Sequence, residues 1–404
     1  MNLEAATQAP TPVSDAPSLR VRTLTAGVAL RTLADLGPVD TALAALGRSK
    51  RRFEESGYEV QTIRIATPAL LAQMAAPERA AALPLLVRLD SLVADRGAIL
   101  SIGPVFTGAR GTDPALVPWS VKLVQATRVT SFSIAVASAD RGVHRDAVVL
   151  AGQVIAALAQ SAPGGVANFR FAAAARVPAG TPFFPVAWHH GPEALAVGVE
   201  SPRIVRAALG GASGDPDVAE ERVRHALDSA LTPIAKLAAA CAQAERRKYL
   251  GIDPSPAPGL DSSIGEAIEA LTATPFGGAS TLGACAAITA ALKSLRVATC
   301  GYAGLMLPVL EDPVLARRAA EGRFGLRDLL LFSSVCGTGL DVVPLPGDAS
   351  PESLARVITD VATLATRLQK PLSARLFPIP GKAAGDTVHF DDPFLTGSVV
   401  MRLD

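Results

Sequence analysis

The stretch SSVCGTGLDVVPLPGD, Ser333 to Asp348, sets one cysteine among glycines ahead of a short apolar run. Gly337 and Gly339 let successive backbone N–H groups converge into an anion-binding nest. A thiol beside such a nest has a lowered pKa and becomes a better nucleophile. Cys336 is therefore a candidate nucleophile or acid, with Asp341 near it as an orienting or metal-binding carboxylate. The alternative is a small buried residue in a tight bend, since free cysteine is among the most buried types.

A second cluster, FFPVAWHHGPEALAVGVES, holds His189, His190 and Glu200. A histidine on a proline-bounded loop near a carboxylate acts as a base or binds a metal. Adjacent histidines point in different directions, so one of the two is the candidate. His189 is assigned as base, and His189 with Glu200 as the pair for a divalent metal. Arg22, Gln61, Arg64 and Arg170 are polar residues in apolar strand-like surroundings. A guanidinium there suits a carboxylate or phosphate.

Smaller signals complete the set. Asp261 or Ser262 is placed to cap a helix, with Glu266 beyond. Gly277, Gly278, Ser280 and Thr281 precede another helix and form a candidate anion site. They lack the lysine and spacing of a phosphate-binding loop, and no nucleotide cofactor motif is present. VVPLPGD and RLFPIPGK both run from a strand into Pro-x-Pro-Gly and a charged residue. Two such turns either face one pocket or are two similar loops. Ser262, Gly278, Ser280 and Lys382 join the arginines as candidate substrate contacts. Cys300-Gly301-Tyr302 is similar to a glycyl-radical motif, but Arg296-Val297 lies two residues too far upstream.

Alternating strands and helices must position these residues. Strand patterns cover LRVRTLTAGV, YEVQTIRIAT, GAILSIGPV and RVTSFSIAVAS, with helical patterns between them. GVANFRFAAAARV and ALAVGVES read as strands, and 214–248 as one long helical segment. Residues 1–18 read as a flexible tail, and 251–262 as the join between two halves of one domain, 19–404. In the second half LRVATCGY, LDVVPLP, LSARLFPIP and GSVVMRL read as strands among helices. This alternation predicts an α/β fold with a largely parallel sheet.

Composition narrows the function classes. Hydrophobic residues make up 49% and charged residues 19%, which excludes a disordered chain. Thirty-eight basic against 37 acidic residues give a charge of +1, with no footprint for nucleic acid. The basic run GRSKRRFEE is a solvated helix face. Four separated cysteines without a CxxC pair argue against a zinc knuckle and fit reduced thiols in the cytoplasm. The first 20 residues have no apolar signal region, and no apolar run approaches the ~20 residues of a membrane span.

VRTLTAGV, GYEVQTIRIAT, FFPVAWHHGP, TCGYAGLMLPVLED, SSVCGTGLDVVPLPGD and SARLFPIPGKAAGD together resemble the family known as domain of unknown function 711. The resemblance runs from about residue 20 to the C-terminus. It implies a pyruvate formate-lyase-like fold: two parallel five-stranded sheets closing into a barrel, with helices outside. In that fold a finger loop carries a cysteine into the barrel, and Cys336 is the matching candidate. The expectation is a cytoplasmic enzyme using Cys336, His189 and Asp341 on a small anionic metabolite, independent of a glycyl radical, and possible as a homo-oligomer. The alternative is a non-catalytic metabolite-binding or regulatory protein on the same fold.

Overall fold

The computed structural model describes residues 19–108, 111–210 and 214–403. The tail expected at 1–18 lies outside them. In chain order the strands of the main sheet are β1 (Arg20–Gly27), β2 (Val60–Ala66), β3 (Ala98–Pro104), β4 (Thr130–Ser138), β5 (Gly142–Val143), β6 (Phe171–Ala175), β7 (Ala194–Glu200), β8 (Lys248–Asp253), β9 (Gly339–Pro346) and β10 (Leu372–Ile379). Around them lie α1 (Gly37–Glu55), α2 (Ala76–Ala94), α3 (Leu116–Ala126), α4 (Arg145–Ser161), α5 (Pro202–Leu209), α6 (Pro216–Ala244), α7 (Ile264–Thr272), α8 (Thr281–Lys293), α9 (Pro313–Ala320), α10 (Leu326–Val335) and α11 (Pro351–Arg367).

Each helix forms because its apolar residues recur at helical spacing. In α1, Val39, Ala42, Leu43, Leu46 and Phe53 fall on one buried face. Pro38 sits in its first turn, where a missing N–H costs nothing. The strands are buried on both faces, as parallel sheets covered by helices require.

One ten-stranded sheet runs in the order β8-β7-β1-β2-β3-β4-β6-β10-β9, with β5 paired to β4. β1, β2, β3, β4 and β6 are mutually parallel. β7 joins β1 antiparallel, and β10 joins β6 antiparallel. Each then carries a parallel partner, β8 and β9 respectively. The mixed α/β architecture with a mostly parallel sheet agrees with the alternation of the sequence. The hydrogen bonding differs from the implied barrel of two separate sheets. It joins all strands into one path, and β8 and β9 are not paired to each other in it.

Between those two ends runs the segment 299–311. LRVATCGY does not form a strand there. It makes one bridge, Thr299 to Ile252 of β8, and Pro308 bridges to Asp341 of β9. The 251–262 stretch, expected as the join between two halves, lies inside the fold. It is the end of β8 and a buried turn, with Gly251 through Pro258 all buried. GSVVMRL yields only a two-residue strand, Ser398–Val399, paired outside the main sheet. The two Pro-x-Pro-Gly turns end the adjacent parallel strands β9 and β10, so their likeness reflects paired geometry. Among the described residues, no helix is long and apolar enough to cross a membrane.

Candidate functional site

A cavity of about 120 Å3 lies where both ends of the sheet path approach its middle. β1 supplies Arg22, β2 supplies Gln61 and Arg64, β8 supplies Asp253, and β10 supplies Arg375. Phe169, Phe183, Phe184, Met306, Glu311 and Phe394 complete most of the wall from loops. The wall is apolar with a few charged groups aimed inward, the usual make-up of a small-molecule site.

Arg375 is the hub of the charged groups and is 2% exposed. Its Nε donates to Asp341 Oδ1 at 2.6 Å, and its Nη2 donates to Glu311 Oε1 at 2.7 Å. Its guanidinium stands 5.0 Å from the Phe169 ring and 5.8 Å from that of Phe184. Burial alone would lower the Arg375 pKa, but the charges and hydrogen bonds of Asp341 and Glu311 outweigh it and raise it. Burial raises the Glu311 carboxyl, and Arg375 only partly offsets this.

Local structure holds these partners in place. Asp312, next to Glu311, accepts N–H bonds from Val314 and Leu315 at the start of α9. It also accepts from Ile264 and Gly265 at the start of α7, and from the Ser263 hydroxyl. One carboxylate therefore pins two helix N-termini beside Glu311. On the other side, the register of β9 and β10 shifts between Ala374 and Leu376, at Arg375 itself. Val342, beside Asp341, has φ +40, a region that disfavours a β-branched residue. Such an irregularity re-aims neighbouring side chains, and strain of this kind costs about 1–3 kcal/mol.

Arg64 differs from Arg375 in one respect. It is 4% exposed, yet no carboxylate among the described residues pairs with it. Its Nη1 donates to the Pro182 carbonyl, its guanidinium stands 5.7 Å from the Phe184 ring, and its Nε has no partner. Burial and the neighbouring Arg22 charge lower its pKa to about 9. Arg22 donates to Gln61 Oε1 at 3.2 Å and lies 3.7 Å from Glu200 and 3.8 Å from Glu311.

The other predicted site residues lie elsewhere. Arg170 precedes β6 and donates to the Val124, Thr127 and Thr130 carbonyls, closing the end of α3. His189 is buried in the loop before β7, its Nε2 at 2.7 Å from the Pro192 carbonyl. Burial lowers its pKa. Glu200 ends β7, seven residues long, so the proposed metal pair is separated by roughly 20 Å. Glu200 accepts from Gln61 at 2.7 Å and pairs with Arg20 at 3.2 Å. The cap of α7 is Ser263 and not Asp261 or Ser262. Ser262 is buried in a turn bonded to Gly259. Gly278, Ser280 and Lys382 are exposed and none lines the cavity.

Cys336 is 0% exposed at the end of α10 and does not line the cavity. Burial raises its pKa against the opposing charge of Lys370, whose Nζ donates to the Cys336 carbonyl at 2.5 Å. The Thr338 and Gly339 N–H groups gather at the thiol as the glycine turn suggested, but burial outweighs them, and Gly337 serves packing. A Cβ on Gly337 would collide with the Cα of Gly304, and Gly337 N–H donates to the Leu305 carbonyl at 2.9 Å. Gly301 has φ +70 and passes so close to Asp253 that no side chain fits. The two cysteine–glycine stretches thus pack on one another through bare backbone. Asp341, which the sequence placed beside Cys336, turns instead to Arg375.

Arg375 and Glu311 escaped the sequence reading. Arg375 interrupts the apolar strand LSARLFPI in the same way that Arg64 interrupts its own strand, so the same signal points to it. Glu311 ends an apolar run just before a helix cap, a weaker mark.

Comparison with known proteins places the chain in a family. Residues 15–391 match the family described as "Uncharacterised ACR (DUF711)". A UPF0210 protein of Desulforudis audaxviator is 30% identical over 406 residues, covering 92% of this chain and 88% of that one. A UPF0210 protein of Pyrobaculum islandicum is 30% identical over 363 residues, covering 85% and 79%. One from Methanospirillum hungatei is 27% identical over 402 residues, covering 92% and 88%. The chain belongs to the DUF711 family.

Proposed function

We propose that this protein binds a small anionic metabolite in the cavity between β1, β2, β8 and β10, and acts on it as an enzyme. One observation carries the reading. Arg64 is a buried cation on the cavity wall with, among the described residues, no carboxylate partner and an unpartnered Nε. A buried charge is costly unless a counter-charge meets it. Every other arginine on the wall already faces a carboxylate, so Arg64 is the group left for a ligand carboxylate or phosphate. Its planar fork suits either anion.

The pyruvate formate-lyase-type barrel belongs to this reading. The seam between β8 and β9 is filled by the segment 299–311, whose two bridges reach both strands. Cys336 has a lesser part in it than the sequence assigned, because it is buried off the cavity. The charged groups around Arg375 take its place as candidates for chemistry.

Thermal-shift measurements with short mono- and dicarboxylates and inorganic phosphate test the reading. At least one of these anions raises the Tm of the wild type in a concentration-dependent way. Arg64→Met removes the shift. A wild type that responds to none of them, or an Arg64→Met variant that responds equally, overturns it.

A further inference from the structure

We infer that Glu311 is the catalytic proton acceptor of this cavity and that its substrate is a short oxo acid, an organic acid carrying a carbonyl beside the C–H it loses. The inference rests on the anion-binding reading above and adds the reacting groups to it.

The donors define the substrate. Two arginines on the wall each keep an unpartnered buried N–H: Nε of Arg64 and Nη1 of Arg375. Both guanidinium groups stand within 6 Å of the same Phe184 ring, at 5.7 and 5.8 Å, so they converge on one part of the cavity. Arg64 has no counter-charge and takes the carboxylate. Arg375 is already neutralised by Asp341 and Glu311, so its remaining N–H suits a neutral acceptor, a carbonyl oxygen. A ligand that satisfies both carries one carboxylate and one carbonyl.

Elimination among the carboxylates defines the base. Two carboxylates line the cavity among the described residues, Asp253 and Glu311. Asp253 is saturated: it accepts from the Ser255 N–H and hydroxyl and from the Tyr302 and Ala303 N–H groups. Glu311 is held through Oε1 alone. Among the described residues its Oε2 makes no hydrogen bond and has the Arg22 guanidinium at 3.8 Å. Burial raises the Glu311 carboxyl, which brings its proton exchange toward neutral pH.

The step balances without a further reactant. The C–H bond next to the carbonyl breaks and its proton moves to Glu311 Oε2. The C–H electron pair becomes a C=C bond, and the carbonyl pair moves onto oxygen. The resulting enolate oxygen accepts the Arg375 Nη1–H, a donor already in place where charge develops. Return of a proton from Glu311 to carbon regenerates the carboxylate.

The test follows deuterium incorporation by NMR in D2O with the full chain and 2-oxobutyrate, 3-oxobutyrate or 4-oxopentanoate, alongside thermal shift. The wild type shows a shift with at least one oxo acid and deuterates it at least tenfold faster than a protein-free control. Glu311→Gln keeps the shift and loses the exchange. If Glu311→Gln does not fold, Glu311→Asp retains the carboxylate and gives slower exchange than the wild type. A shift without excess exchange in the wild type overturns the role of Glu311 and leaves anion binding standing. No shift with any oxo acid overturns the oxo-acid substrate, and anion binding falls with it only if the other carboxylates and inorganic phosphate also give none. Undiminished exchange in either variant overturns the assignment to Glu311.

Discussion

The cavity wall around Arg64 and the turn around Cys336 are both buried, but their burial serves opposite ends. At the turn, Gly337 and Gly304 touch through bare backbone, and the enclosed Cys336 thiol meets Ser333 and the Thr338 and Gly339 N–H groups. At the wall, one guanidinium nitrogen each of Arg64 and Arg375 is kept dry and left without a partner. Dense packing in which the thiol and its neighbouring charge find partners marks a structural element. Unfilled polar capacity next to a void marks a place prepared for a ligand. A cysteine among glycines advertises chemistry in a sequence, and here that composition is explained by closeness of backbone.

Substitutions sharpen this contrast. The largest effect is expected at Arg375, where Arg375→Met strands the Glu311 and Asp341 carboxylates in a buried site. Loss of one member of a buried pair costs about 3–5 kcal/mol, to be read by urea unfolding at neutral pH. Gly337→Ala forces a Cβ onto Gly304 and is expected to cost about 1–3 kcal/mol, without altering any anion-induced shift in the variant that remains folded. Arg64→Met goes the other way. It removes an uncompensated buried cation, so the unfolding free energy of the ligand-free protein equals or exceeds that of the wild type. A variant as unstable as Arg375→Met would break the distinction between the paired and the unpaired arginine.

The smallest effect is a pH dependence. Burial lowers the folded pKa of His189 below its ordinary value near 6.5. A depressed folded pKa means that the folded state binds fewer protons than the unfolded chain. The stability it contributes is present above about pH 6.5 and is lost as the pH falls through the folded pKa. His189→Gln flattens the fall in Tm between pH 7 and pH 5. A residual slope remains from His144, whose pKa burial also lowers. An unchanged slope would show that His189 does not titrate within the folded protein.

The strand and helix succession was largely legible because short apolar runs bounded by turn residues alternate with helix-period segments, and it failed at LRVATCGY, which makes a single bridge. Arg22 and Arg64 were legible as cavity candidates because a guanidinium inside an apolar strand needs a reason to be there. Arg170 shares the composition but sits in the turn before β6, where three carbonyls of a neighbouring helix end and strand occupy it. Local sequence does not distinguish a strand residue from one just ahead of the strand. The His189–Glu200 pair failed for a related reason: residues close in number were separated by the full length of a strand. The Arg375–Glu311 and Gly337–Gly304 contacts join parts of the chain that only the tertiary fold brings together. No spacing rule reaches them.

The segment 299–311 has a mechanical consequence. Most of the cavity's circumference is stiffened by strand ladders, while this side is held by two isolated bridges and by side chains that take its backbone N–H groups: Asp253 accepts from Tyr302 and Ala303, and Ser255 from Gly304. Tyr302 through Glu311 are all buried, so the missing ladder is replaced by packing. Arg64 stands on the laddered side and Glu311 on the packed one. The anchor and the base are therefore fixed by two different kinds of stiffness, and a substitution at Asp253 would loosen the second without disturbing the sheet.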